Sequence, residues 1–328
     1  MVWLKLVICI LVIFFSGQKV AKYGDIIATK TGIGQVWMGV IALALITSLP
    51  EFFTGIGAVT LISAPDLTVG NLIGANAFNF FNLALLDIAH RNGSLLAMAS
   101  RTHRLTGWFS LLLLVLVAVF IIVSLWFYTM PLGWIGWYTP IIIILYVISV
   151  RQIFYYEKKH PPLQEARLYE GEQSLRRLFT YFIISAVFII GAGIWLATIG
   201  DEIALETGWG QSFVGSLFLA FTTTLPEITV SFTAMRIGAI DMAIANLVGS
   251  NLFNLTIIPV IDLIYTKGPV LADVSESNLV TAAAVALMTL LFIAALRYRP
   301  RRLFRLSWLN CGLIILFIAS AYCSFILS

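Results

Sequence analysis

The sequence predicts an all-α polytopic membrane protein of ten transmembrane helices, arranged as two inverted five-helix repeats. Three observations lead there: an apolar composition, a series of long apolar runs, and a polar motif that occurs twice. Hydrophobic residues make up 60% of the 328 residues and charged residues 11%, against roughly 45–50% and about 25% in an ordinary soluble domain. A bilayer is therefore the expected solvent. Lipid offers no hydrogen bonds to backbone groups, so continuous apolar runs must be helices and not strands of alternating polarity.

Runs near the roughly 20 residues needed to cross a bilayer cover 3–29, 36–62, 67–88, 105–128, 132–150, 179–205, 210–235, 239–265, 278–296 and 303–327. The first continues past Gly17 without a small-x-small cleavage site, so it reads as a span and not as a signal peptide. Lys19 and Lys22 within it are expected to snorkel to the interface. Cys9, Cys311 and Cys323 fall inside apolar runs and read as small hydrophobes, with no disulfide or metal framework. From Arg151 to Leu178 basic residues mix with Glu157, Glu165, Glu170, Glu172 and Pro161-Pro162. That segment is a cytoplasmic linker or short helix, too small for a regulatory domain. It divides an N-terminal repeat, 1–150, from a C-terminal repeat, 179–328.

Basic residues set the orientation. Lys30, Arg91, Arg101, Arg104, Arg151, Lys158, Lys159, Arg167, Arg176, Arg177, Arg236, Arg297, Arg299, Arg301, Arg302 and Arg305 crowd one set of connections, and the other has Lys267, with Lys5 near the N-terminus. The crowded side is cytoplasmic by the positive-inside rule, so both termini lie outside, in a protein of the cell (inner) membrane. The net charge of +4 is then a topogenic signal in short loops, not a nucleic-acid surface.

The duplicated motif begins with TSLPE, Thr47 to Glu51, and continues with GNLIGANAFN, Gly70 to Asn79, in a region spanning 36–88. Its second copy, within 210–265, reads TTLPE, Thr223 to Glu227, and ANLVGSNLFN, Ala245 to Asn254. Gly24-Asp25, Thr31-Gly32 and Gly34-Gln35 return as Gly200-Asp201, Thr207-Gly208 and Gly210-Gln211. Five crossings per half is odd, so the second copy enters the membrane from the opposite side, and inverted repeats place a shared site at their interface near the midplane.

Thr47, Ser48 and Glu51 share a helical face, as do Thr223, Thr224 and Glu227. A carboxylate at membrane depth costs at least a few kcal/mol, neither glutamate has a Lys or Arg partner at helical spacing, and two facing glutamates would repel. A bound cation or a proton is the natural remedy. Pro50 and Pro226 precede the glutamates and are expected to kink the helices, freeing backbone oxygens around Ala44 to Thr47 and Ala220 to Thr223. Carbonyls, hydroxyls and carboxylates together make the oxygen shell that Ca²⁺ or Na⁺ prefers. Asn71, Ala75 and Asn79, and likewise Asn246, Ser250 and Asn254, lie on one stripe each, so their amides can reach the same site. Asn71, Asn76, Asn246 and Asn251 read equally as interhelical glue, and hydroxyls of membrane helices ordinarily bond their own backbone. Gly70 and Gly74, and Ala245 and Gly249, give small-xxx-small surfaces. Asp87 and Asp262 sit near span ends and read as interfacial carboxylates, with a vestibule site as the alternative; Asp25 and Asp201 are interfacial too.

At these motifs the chain resembles the cation/Ca²⁺ exchanger superfamily, especially the prokaryotic sodium/calcium exchangers. The resemblance implies a ten-helix inverted-repeat fold that exchanges Ca²⁺ for Na⁺ by alternating access, with no cofactor and no obligatory protein partner. It implies Glu51 and Glu227 as central acidic ligands of Ca²⁺ and Na⁺, helped by Thr47, Ser48, Thr223 and Thr224 and by the backbone oxygens of Ala44 and Ala220. Asn79, Ser250 and Asn254 match ligand positions on the other two helices. The chain departs from the family at Ile46 and Thr222, where glycine is usual, and at Ala75, where serine is usual. At Asn254, where some relatives carry Asp, the neutral amide leaves two formal negative charges. An antiporter coupled to H⁺ or K⁺, or carrying another divalent ion on the same glutamates, is the close rival. An intramembrane enzyme finds no HExxH or GxSxG motif to stand on, and strongly charged, kinked binding groups favour occlusion over a channel.

Overall fold

The computed structural model describes residues 2–91, 93–126, 131–160, 174–207, 219–299 and 306–327. Gly208, Gly210, Gln211, the middle of the expected linker and the beginnings of the 210–235 and 303–327 spans lie outside the described residues, as does the side chain of Asp201. The helices are α1 (Val2–Thr31), α2 (Gln35–Thr47), α3 (Leu49–Leu61), α4 (Pro65–Ala89), α5 (Leu95–Met98), α6 (Thr102–Trp126), α7 (Tyr138–Lys159), α8 (Leu175–Thr207), α9 (Leu219–Thr223), α10 (Leu225–Arg236), α11 (Ile240–Ile264), α12 (Ser277–Tyr298) and α13 (Trp308–Leu327). Among the described residues seven helices are long and apolar enough to cross a membrane, and the bent pair α2–α3 makes an eighth span.

Apolar side chains explain both surfaces. Trp3, Leu112, Ile144, Val187, Phe188 and Ile315 are exposed on the outer helices, as lipid-facing positions require. The helices α4 and α11 carry the densest polar sequence and are buried along most of their length at the centre. They cross there: α11 also packs on the first half of α2, and α1 packs along α8. A Cβ on Gly249 would lie 2.5 Å from Val40 Cα, and one on Gly39 2.4 Å from Ala245 Cβ, so small residues let these backbones touch. The last helix of the first half runs on to Lys159, placing Arg151 and Glu157 inside helix and not in a linker.

The two halves repeat their contacts. Ser275 N and Asn278 Nδ2 donate to Asp66 Oδ1 at the start of α4, each at 2.7 Å. At the equivalent place in α11, Ser100 N donates to Asp241 Oδ1 at 2.7 Å and His103 Nε2 lies 2.8 Å from it. Each residue of the first set stands 175 positions from its counterpart in the second. The far ends match as well: Leu95 N donates to Asp87 and Val270 N to Asp262.

Candidate cation site

The site forms where α2–α3 and α9–α10 break. Each break falls on a hydroxyl residue just before Leu-Pro: Ser48 has φ −91°, ψ 5° and Thr224 has φ −85°, ψ 1°, in the bridge region between helix and strand. Expectation and structure differ here. The prolines do not kink a continuous helix; they occupy the first turn of a new one, where a missing N–H costs nothing. The axis bends by 40° between α2 and α3. Six residues before the break, Met38–Leu43, wind as a π-helix, a feature frequent at functional sites. The carbonyl of Ala44 is not freed: it accepts Ser48 N at 3.0 Å. Ala220 O accepts Thr224 N at 3.2 Å and Thr224 Oγ1 at 2.9 Å. A carbonyl has two lone pairs, so Ala44 O, whose second donor is the Thr47 hydroxyl at 3.5 Å, can still face an ion, whereas at Ala220 both are taken until the Thr224 hydroxyl turns away.

The new helices put Glu51 and Glu227 in their first turns, where the helix dipole favours negative charge. Both residues are fully buried. Glu227 Oε1 accepts Ser48 Oγ at 3.1 Å and Ser250 Oγ at 3.5 Å. Ser48 thus reaches across to the glutamate of the other half and not to Glu51 on its own face. Thr47 Oγ1 lies 3.4 Å from both Asn246 Oδ1 and Ser250 Oγ. Across the site, the hydroxyls of Thr223 and Thr224 bond backbone carbonyls of α9, and that of Thr223 also faces Glu51.

Four amides close the other wall. Asn79 Nδ2 donates to Asn251 Oδ1 at 2.9 Å, and Asn254 Nδ2 donates to Asn76 Oδ1 at 3.1 Å. The two bonds are counterparts with the halves exchanged. They orient Asn79 and Asn254 so that the carbonyl oxygen of each has no donor among the described residues. Neither oxygen of Glu51 nor Oε2 of Glu227 has a hydrogen-bond partner among the described residues. Five enclosed oxygens therefore remain unmatched beside a hydrophobic interior, a donor set suited to a hard cation.

Other sequence-predicted residues have structural work. Asp262 accepts Gly136 N at 2.8 Å, Val270 N at 2.7 Å, Tyr138 OH at 2.5 Å and the hydroxyl of Thr139. These four donors tie the start of α7 and the segment after α11 to the end of α11. Asp87 accepts Ser94 Oγ at 3.0 Å and Leu95 N at 2.5 Å, and Gln35 Nε2 donates to Asp25 at 2.6 Å. Asn246 donates to Glu227 O at 3.3 Å and Ser231 Oγ at 3.0 Å, which is the interhelical role. Sequence reasoning missed Glu157, whose two oxygens accept Val36 N at 2.9 Å and Trp37 N at 2.8 Å and so cap α2. It also missed Gly193 of α8, where a Cβ would fall 2.3 Å from Pro50 Cγ and 3.5 Å from Pro226 Cγ. That glycine lets α8 lie directly on both prolines.

The family model described as sodium/calcium exchanger protein matches residues 1–154 and 177–326. CaxA of Alkalimonas amylolytica, a candidate antiporter, is 23% identical over 327 residues, covering 96% of each chain. The inner membrane protein YrbG of Escherichia coli K12 is 21% identical over 81% of this chain and 80% of its own. The human sodium/potassium/calcium exchanger 2 is 31% identical over 133 residues, 38% of this chain and 19% of its own. Among solved structures, the sodium-calcium exchanger NCX_Mj superposes with a TM-score of 0.73 at 20% identity, covering 97% of this chain and 98% of that one.

Proposed function

Because the chain belongs to the sodium/calcium exchanger protein family, a family of membrane exchangers and not of enzymes, we propose that it is a secondary active antiporter exchanging Ca²⁺ for Na⁺ at the Glu51 and Glu227 pair. The observation that carries this reading is the set of five buried oxygens, two from Glu51 and one each from Glu227, Asn79 and Asn254, that have no hydrogen-bond partner among the described residues. Uncompensated buried carboxylates are disfavoured by several kcal/mol each. Two carboxylates match one Ca²⁺ or two Na⁺. Thr47, Ser48, Thr223, Thr224 and Ser250 hydroxyls and the carbonyls of Ala44 and Ala220 complete the shell.

Exchange follows from competition. An ion-filled site is neutral and can close, whereas an empty one retains two facing charges and resists reorientation. The helices α1 and α8 pack along one another and act as the gates, sliding over a fixed core of α4 and α11 in a ten-helix inverted-repeat frame with both termini extracytoplasmic. No cofactor or protein partner enters this cycle.

The test is ⁴⁵Ca²⁺ uptake into proteoliposomes loaded with Na⁺. An outward Na⁺ gradient drives uptake, and clamping the gradient to zero stops it. Uptake that follows ΔpH in Na⁺-free medium would overturn the coupling in favour of the proton-coupled rival on the same glutamates.

A further inference from the structure

Resting on exchange at the glutamate pair, we propose that Asn71 is a cation ligand, forming with Glu51 a position for a monovalent hard cation, Na⁺, between α3 and α4. The two halves are unequal here. Thr68 Oγ1 of α4 donates to Gly55 O of α3 at 3.3 Å, and the two helices run antiparallel across a tight connection. One turn onward from Thr68 is Asn71, and one turn back from Gly55 is Glu51. Asn71 therefore stands level with Glu51.

Its counterpart Asn246 stands level with Glu227 and is fully engaged. Its amide nitrogen donates to Glu227 O and Ser231 Oγ at 3.3 and 3.0 Å, and its oxygen faces Thr47 Oγ1 at 3.4 Å. In the first half the serine that would answer Ser231 is Gly55, and the one that would answer Ser250 is Ala75. Two hydroxyls are absent from one place. Asn71 is only 1% exposed, and among the described residues neither of its polar side-chain atoms has a hydrogen-bond partner, nor does either oxygen of Glu51.

Buried amides are almost always bonded in native proteins, so an amide kept idle beside an idle carboxylate calls for a ligand that needs both. One carboxylate and neutral oxygens supply a single negative charge, which suits Na⁺; a divalent ion draws on both glutamates. The amide oxygen of Asn71 takes the place of the hydroxyl lost at Ala75. Asn246 holds no matching ion because its groups are already used.

Asn71→Leu keeps the branched shape, slightly enlarged, and removes both polar atoms. Replacing an unbonded amide by an apolar group of the same shape is near neutral or stabilising. The variant is therefore expected to melt at or above the wild-type temperature without Na⁺ and to lose much of the Na⁺-dependent rise in melting temperature. Half-saturating Na⁺ for ⁴⁵Ca²⁺ exchange should rise tenfold or more, a larger factor than any change in the Ca²⁺ midpoint measured in Na⁺-free buffer. Asn71→Ser replaces it if the leucine variant does not fold, with the same expected Na⁺ shift. A variant that exchanges with half-saturating Na⁺ within twofold of wild type overturns the ligand role and leaves the exchanger reading standing. Wild-type protein with no Na⁺ dependence overturns both.

Discussion

Alanine at Gly193 adds one methyl group where α8 crosses the two prolines of the site, and the structure sets the size of the effect. The added Cβ lies 2.3 Å from Pro50 Cγ, 3.2 Å from Pro50 Cβ and 3.5 Å from Pro226 Cγ. Carbon atoms rest about 3.5–4.0 Å apart, so α8 must retreat from α3 by roughly 1.2 Å or more. The proline ring is fused to the backbone and cannot rotate aside. Overpacking of this kind costs about 1–3 kcal/mol, a fall on the order of 2–6 °C in melting temperature for a chain this long. If α8 also slides during transport, the methyl obstructs the path and slows ⁴⁵Ca²⁺ exchange by about tenfold for each 1.4 kcal/mol added to the barrier. Gly191→Ala is the control, since none of the described residues lies within 4 Å of its Cβ. Gly17→Ala should fall between them, because its Cβ meets a Thr229 methyl at 2.8 Å that can turn away. Melting and flux for Gly193→Ala that match Gly191→Ala would refute the reasoning.

Asp262→Asn presents an NH₂ group to at least one of the backbone donors Gly136 N and Val270 N. Leaving a buried N–H without an acceptor costs about 1–3 kcal/mol, so the melting temperature should drop while Ca²⁺ titrations keep their midpoint. Glu157→Gln places a donor against Val36 N or Trp37 N and uncaps α2. Its expected signature is faster amide exchange over the first turn of α2, read by deuterium uptake, at a stability cost of about 1–3 kcal/mol.

The repeat, the glutamate pair and the polar stripes of α4 and α11 were legible because each recurs at a fixed offset and a helical period. What was not legible depends on pairs distant in sequence. Ser48 shares a helical face with Glu51, yet it donates to Glu227, 179 positions away, because the break at Ser48 turns its hydroxyl across the interface. A proline inside an apolar run predicts a kink within one helix; the bridge-region residue before it makes it the start of another. Glu157 looked like one acid among mixed charges, and its bonds to α2 span 121 and 120 positions with no period to reveal them. Asp66 and Asp241 were within reach, since extending the repeat comparison to Ser100 and Ser275 places the same carboxylate beside the same backbone donor in each half. Asn79 and Asn254 were read as ligand amides, and their orientation by Asn251 and Asn76 could be found only with the crossing of α4 and α11 in view.

One site built from one carboxylate of each half is the central claim, and isothermal titration of purified protein with Ca²⁺ tests it most directly. The account predicts one Ca²⁺ per chain, displaced by Na⁺, with the heat abolished by Glu51→Gln and equally by Glu227→Gln. If either single variant kept wild-type Ca²⁺ affinity, or if wild type bound Ca²⁺ at two independent places that the variants removed one at a time, the halves would not share a site.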